Sequence, residues 1–324
     1  MLKLIKPGLS TTIQDAGRPG YYHVGIPLSG ALDQYALRLA NLLVGNEEGA
    51  AALECTLLAP EIEFGGNMIV AVAGADTTPK LNGTAMPLNE SFPVRAADRL
   101  TFDFMRSGAR LYIAFAGGIH VPTVLGSRST YALGAFGGLQ GRRLIAGDML
   151  AVGARTSRAR VGRRVEGELS VSCPKEQVLR VLPGLYDHRL SEEAVESFYA
   201  DTWTVGSEAD RTGYRFKGGR PLRFLDRTPP FGAGSDPSNI VDAGYPYGSI
   251  QLPAGQEPII LHRDAVSGGG YATIGTVISA DMDKIAQLQP NNKARFVCID
   301  MCDALAARAA AQRRLALLRE ALQR

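Results

Sequence analysis

Short apolar runs separated by turn formers set the rhythm of the first half of the chain. LECTLL, EIEFGG, NMIVAVAGA, KLNGTAMPL, RLTFDF and ARLYIAFAGGI each read as a strand, and Asn82-Gly83 reads as a hairpin turn inside the fourth. That is the texture of a β-barrel or sandwich. One helical period interrupts it: ALDQYALRLANLLVG has apolar residues at 32, 35, 36, 39, 42 and 43, with Ser29 or Gly30 as cap and Gly45 just past the end. The second half resumes with QVLRVLPG, a helix around SEEAVESFYADT, and then RPLRFL, GSIQLP, EPIILHRDA, GYATIGTVIS and KARFVCID. Strands dominate again. The tail DALAARAAAQRRLALLREALQR is a strong helix former with leucines at 305, 315, 317, 318 and 322. Its apolar stripe is expected to pack on its own domain, with a role as a partner helix as the alternative.

The apolar rhythm fails over residues 153–176, where GARTSRARVGRRVEGELS carries Arg155, Arg158, Arg160, Arg163 and Arg164. A solvated basic loop between domains is the expectation. The resulting division is a first β-rich subdomain over 1–155, an Arg-rich linker over 156–176, a second β-barrel subdomain over 177–302 and a C-terminal helix over 303–324. The two halves share strand texture without a letter-level repeat, so a duplicated barrel stays open.

Charge and composition narrow the function. The chain has 324 residues, 45% hydrophobic and 21% charged, enough for a large core and for two domains. Thirty-five Lys and Arg against 32 Asp and Glu leave a net charge of +3, too small to make nucleic acid or an anionic membrane the main partner. Cys55, Cys173, Cys298 and Cys302 form neither zinc-type pairs nor a disulfide scaffold. No apolar run reaches the roughly 18 residues of a membrane helix, and MLKLIKPG lacks the apolar core of a signal peptide. A cytoplasmic protein is the expectation. The absence of GxxxxGK[ST], HExxH, paired CxxC and GxSxG excludes the common phosphate loops, zinc sites and hydrolase elbows, and GSRST at 126–130 has the wrong spacing for a nucleophile.

The polar chemistry concentrates elsewhere. Residues 8–33, GLSTTIQDAGRPGYYHVGIPLSGALD, bring Gln14, Asp15, Arg18, His23, Ser29 and Asp33 onto a Gly- and Pro-rich backbone, either as a turn region or as a functional loop on a scaffold. Of the four histidines, His120 and His188 read as structural, while His23 and His262 lie in polar, glycine-rich surroundings. AGGIHVPTVLGSRSTYALGAFGGLQGR, YPYGSIQLPAGQ and HRDAVSGGGYATIG add glycines that let a ligand approach backbone N–H groups, with Arg128, Gln251, Asp264 and Ser267 inside or beside them. Tight barrel turns are the plainer reading. The combination suits a small carboxylate, carboxamide or acyl-phosphate ligand.

Longer segments carry a family resemblance. GLSTTIQDAGRPGY, GIPLSGALDQYALRLANLLVGNEEGAAALE, AFAGGIHVPTVLGSRST, GGLQGRRLIAGDML, SEADRTGYRF, GSIQLPAGQEPIIL and SGGGYATIGTVISADMDKIAQLQP resemble, in that order, the carboxyltransferase subdomain A and B family. That family is also labelled allophanate hydrolase subunit 2, and the likeness runs to about residue 300. It includes the C component of the bacterial ATP-dependent 5-oxoprolinase and the matching part of urea carboxylase. The resemblance implies a mainly β, cyclophilin-like barrel architecture in two subdomains. It also implies a partner of the subdomain C and D type, like the B component of 5-oxoprolinase, with a third protein like its A component.

The implied reaction is ATP-dependent opening of the 5-oxoproline lactam to glutamate. The alternatives are biotin-dependent carboxyl transfer, or a non-catalytic antagonist of a histidine-kinase inhibitor. By resemblance Gln14, Asp15, Arg18, Asn41, Arg128, Arg211, Gln251, Gly269, Gly270 and Tyr271 bind substrate, and Asp33 or Asp264 serves proton transfer; no metal is implied. ATP is expected in the complex, and biotin only under the carboxyltransferase alternative. Asp242-Ala243-Gly244, His262-Arg263 and AVSGG at 265–269 depart from the family pattern, so substrate identity stays open around them.

Overall fold

The computed structural model describes residues 1–228 and 230–323. The chain forms two compact units, each discontinuous in sequence: Met1–Arg18, Ser29–Cys173 and Gln312–Arg324 make the first, Pro19–Leu28 and Pro174–Ala311 the second. The polar opening stretch is therefore divided between them.

The first unit stacks two sheets. One runs in the order Ile119–His120, Met149–Val152, Leu2–Lys6, Glu61–Phe64, Arg99–Phe102, Pro79–Leu81, Thr84–Ala85. The other runs Ser10–Gln14, Ala52–Thr56, Ser107–Phe115, Met68–Asp76, Ser91–Val94. The strand Met68–Asp76 shows why the apolar run is continuous: Val70 and Val72 face the core between the sheets, while Ile69, Ala71 and Ala73 face the first helix. Small alanines on that outer face let the helix come close. This helix, α1 (Gln34–Leu43), buries Ala36, Leu37, Leu39, Ala40 and Leu43. Gly45 closes it at φ +76°, a left-handed conformation that glycine takes without strain.

The second unit contains a closed ring of seven strands in the order Glu176–Pro183, Thr273–Val277, Ser249–Gln251, Ile259–Leu261, Gly213–Lys217, Trp203–Ala209, Lys293–Cys298. Parallel pairing of Glu176–Pro183 with Lys293–Cys298 closes it. Its core is aromatic: Phe198, from helix α2 (Glu192–Ala200), stacks on Phe296 at 4.5 Å, and the Trp203 indole donates to the Phe198 carbonyl at 3.0 Å. Outside the ring, Asn239–Gly244 and Gly268–Tyr271 pair as a two-stranded ribbon. A short helix α3 (Met282–Ala286) and the long α4 (Met301–Gln323) complete the chain.

Several expectations change. The opening stretch is not wholly irregular, because Ser10–Gln14 is a strand paired with Ala52–Thr56. The cap of α1 is Asp33, whose Oδ1 accepts from the Ala36 amide at 2.8 Å; neither Ser29 nor Gly30 takes that position. RPLRFL forms only an isolated bridge between Phe224 and Leu190, since Pro221 has no N–H to offer a ladder. The hairpin at Asn82-Gly83 is present, with Leu81 opposite Thr84.

The Arg-rich segment exposes Arg155, Arg158, Arg160 and Arg164, while its backbone is fastened to the first unit. The Ser91 hydroxyl bonds both the Arg160 carbonyl and the Arg163 amide, and Thr156 donates to the Gly45 carbonyl. Leu315, Leu318 and Leu322 of the terminal stripe pack within the first unit, in the cluster that contains α1, while Leu305 and Leu317 are exposed. Among the described residues no helix is long and apolar enough to cross a membrane.

Candidate functional site

In the first unit the strand Ser10–Gln14 delivers Asp15 into a knot of neutral donors. Its carboxylate accepts from the Gly17 amide (2.8 Å), the Ser127 hydroxyl (2.6 Å), the Arg128 amide (2.6 Å) and the Ser129 hydroxyl (2.5 Å). The Asp15 carbonyl accepts from the Ala31 amide at 2.9 Å. One aspartate thus pins both the turn after its own strand and the GSRST loop. That loop fixes Arg128, half-buried, whose Nε donates to the Val121 carbonyl at 3.0 Å.

Arg18, 1% exposed, donates from Nη2 to the Ser129 carbonyl and lies with Cζ 4.8 Å over the Phe136 ring. Gly137 makes that approach possible, since a Cβ there would stand 2.0 Å from the Ser129 carbonyl oxygen and 2.9 Å from Arg18 Nη2. Gln14 donates to Thr12 Oγ1 and to the Thr130 carbonyl. Its Oε1, like Thr130 Oγ1, is buried without a hydrogen-bond partner among the described residues.

Asp33 and Asn41 sit on α1 and are tied into the scaffold. The Asp33 amide donates to the Tyr112 hydroxyl (2.9 Å), which itself donates to Glu54 Oε2 (2.7 Å). Burial first, and then the Glu54 and Asp33 charges, push the Tyr112 hydroxyl well above its ordinary value. Asn41 donates to the Glu48 and Ala50 carbonyls and accepts from Asn46, bracing the turn that follows the helix. Ser127, Ser129, Glu54 and Tyr112 escaped the sequence reading. GSRST drew notice only as a failed nucleophile motif, whereas its serines hold Asp15.

The second unit uses charge instead. Arg211 grips Asp264 in bidentate fashion, Nε to Oδ2 at 2.7 Å and Nη2 to Oδ1 at 3.1 Å, and the Asp264 amide returns to the Arg211 carbonyl at 2.9 Å. Beside it His262 is fully buried. Its Nδ1 accepts from the Arg263 amide at 3.0 Å, which makes Nε2 the protonated nitrogen, 3.4 Å from the Met282 carbonyl. The Arg263 guanidinium lies 5.5 Å from the Tyr247 ring centroid.

Tyr22 comes from the Pro19–Leu28 piece that this unit incorporates. Burial raises its hydroxyl, with Arg263 opposing and Asp264 adding to the rise. Gln251 is buried on a ring strand. Gly269, Gly270 and Tyr271 lie on the ribbon, where the Tyr271 amide donates to the Tyr245 hydroxyl at 2.7 Å and that hydroxyl donates back to the Tyr271 carbonyl at 2.8 Å. A Cβ at Gly269 would come within 2.9 Å of the Tyr245 ring. Tyr271 itself is 42% exposed.

The structure thus brings Gln14, Asp15, Arg18 and Arg128 together in one unit and Arg211 with Asp264 in the other. Asp33 and Asn41 stand apart as braces of α1. His23 is exposed, as are His120 and His188. No group of three or more His, Cys, Asp or Glu side chains suited to a metal ion occurs among the described residues.

The model of the carboxyltransferase domain, subdomain A and B, matches residues 24–298. The C component of the 5-oxoprolinase of Escherichia coli (strain K12) is 37% identical over 313 residues, covering 97% of this chain and 96% of that protein. The urea amidolyase of Lachancea kluyveri is 36% identical over 309 residues, 92% of this chain but 17% of that protein. Among solved structures, the K. lactis urea amidolyase superposes with a TM-score of 0.91 at 32% identity, over 98% of this chain and 20% of that one.

Proposed function

Because the chain belongs to the carboxyltransferase domain family, subdomain A and B, we propose that it is one component of an ATP-dependent 5-oxoprolinase that opens 5-oxo-L-proline to L-glutamate. The observation that carries this reading is the end-to-end match: the C component of 5-oxoprolinase is covered over 96% of its length, whereas urea amidolyase is covered over 17%.

An unstrained lactam is a weak electrophile, so a site for it must neutralise charge developing on the lactam oxygen and deliver a proton to the leaving nitrogen. In this reading Asp264, oriented by Arg211, is the group that exchanges the proton. Gln251, Tyr271 and the backbone of Gly269 and Gly270 form hydrogen bonds to the substrate amide. Taken by itself, the first unit offers Arg128 as a positive charge to a ligand, with Asp15 positioning it and Arg18 and Gln14 bracing the same loop. Asp33 and Asn41 act through α1.

The nucleotide fits this chain poorly. The helix starts that would cradle phosphate are acidic: Asp33 caps α1, Glu192 and Glu193 open α2, and Asp303 lies in the first turn of α4. Gly268, Gly269 and Gly270 lie in a strand rather than leading into a helix. We therefore assign ATP to another member of the complex, either a protein like the A component of 5-oxoprolinase or one of the subdomain C/D type. The free cysteines Cys55, Cys173, Cys298 and Cys302 suit a reducing cytoplasm.

The test is glutamate and phosphate release from 5-oxoproline and ATP by the chain assembled with its partners, against the same mixture lacking it. Release that does not depend on the chain defeats the proposal. A second reading, biotin-dependent carboxyl transfer, draws on the urea amidolyase likeness. It requires a biotinylated partner, and a streptavidin blot of the native complex with no band removes it.

A further inference from the structure

Arg189 and Arg227 are far apart in sequence, and both reach the start of the ribbon in the second unit. Arg189 Nη2 donates to the carbonyls of Pro237 (2.5 Å) and Asn239 (3.2 Å), and Arg227 Nη2 donates to the same Asn239 oxygen. Two guanidinium forks with five donors each converge on one neutral acceptor. Neither arginine has a carboxylate partner among the described residues.

The acids of the flanking turns are engaged locally. Asp187 accepts from the His188 amide, and Asp236 accepts from the Ser238 amide and hydroxyl. Asp226, next to Arg227, is exposed and pairs with neither. Arg227 Nε is buried without a hydrogen-bond partner among the described residues. Burial, and after it the Arg227 charge, hold the Arg189 guanidinium below its ordinary value.

Like charges drawn together around a buried, unsatisfied N–H are costly unless an anion joins them. We propose that Arg189 and Arg227 form a binding site for a small oxyanion, a carboxylate or a phosphate group, held between the two guanidinium forks. Asn239 sets their spacing. It is paired opposite Tyr271, so the anionic end of a ligand lies beside the ribbon strand that carries Gly269, Gly270 and Tyr271. The site stands on the two arginines and not on the reaction assigned above.

The experiment titrates the full-length chain by calorimetry with inorganic phosphate and, separately, with 5-oxoproline, at constant ionic strength. Saturable one-to-one binding of either anion is expected, phosphate alone marking a phosphate site and 5-oxoproline a carboxylate site. Arg227→Met should weaken it roughly tenfold or more, and Arg227→Lys, which keeps charge without the fork, should weaken it less. Arg106→Met, at an exposed pair with Asp76 in the first unit, should leave it unchanged. Because the lysine variant retains the charge that the fold tolerates, it serves if the methionine variant does not fold. Absence of saturable binding by both anions, or equal binding in wild type and an Arg227 variant, overturns the proposal.

Discussion

Asp15 and Asp264 are both buried aspartates, and their neighbours differ in kind. Asp15 is held by hydroxyls and backbone amides, four donors with no cation among them. Asp264 is held by a guanidinium. A carboxylate satisfied by neutral donors of the scaffold has its geometry fixed and little left to exchange. One paired with arginine keeps a partner that a ligand's own carboxylate can share. The first cluster therefore reads as a device for placing Arg18 and Arg128, and the second is the one to which the proposed function gives the chemistry.

The sharpest way to break this contrast is to remove the first carboxylate. Asp15→Ala leaves several buried donors without an acceptor, at roughly 1–3 kcal/mol each, so a loss of about 4 kcal/mol or more is expected in chemical denaturation. A loss under about 1 kcal/mol would mean that the knot is not structural.

Asp281 offers an intermediate case: fully buried, it takes two bonds from the Arg180 side chain, one from the Arg180 amide and one from Lys284. Asp281→Asn should cost about 2 kcal/mol, since the Arg180 and Lys284 charges it leaves behind are partly exposed. Burial raises its carboxyl, but the bonds from Arg180 and Lys284 outweigh it and leave the group below its usual value. A depressed carboxylate contributes stability that is present above its unfolded value, about 4, and is lost as pH falls through the folded one. Acid unfolding of wild type should therefore steepen below about pH 4 relative to Asp281→Asn. Parallel pH profiles would contradict the assignment.

Smaller effects sharpen the picture around the first cluster. Gly138 has φ +54°, and a Cβ there would stand 1.9 Å from Thr130 Oγ1, so Gly138→Ala should cost about 2 kcal/mol in thermal unfolding. Asp33→Ala should cost about 1 kcal/mol as a lost cap, and Asp33→Ser should restore most of it. If serine restores stability but not turnover, Asp33 does chemistry as well as capping.

Strands such as RLTFDF and the α1 period were legible because alternation and helical spacing are local signals. Ser10–Gln14 was not, since its buried threonines resemble turn residues when flanked by glycine and proline. The leucines at 315, 318 and 322 announced an apolar face, but their neighbours on α1 lie more than two hundred residues earlier, and no local pattern encodes that contact. The candidate site divides the same way. Asp15 and Asp264 stand out as polar residues among glycines, whereas the serines of GSRST and the convergence of Arg189 with Arg227 exist only once the chain is folded.

The central claim is that Asp264, oriented by Arg211, carries the proton chemistry of lactam opening. Asp264→Glu keeps the charge and the arginine partner while moving the carboxylate by one methylene. In the assembled complex, kcat for glutamate formation should fall about a hundredfold, the usual cost of misplacing a reacting group by about 1 Å, with the melting temperature nearly unchanged. A complex that turns over at the wild-type rate with glutamate at this position would contradict the account.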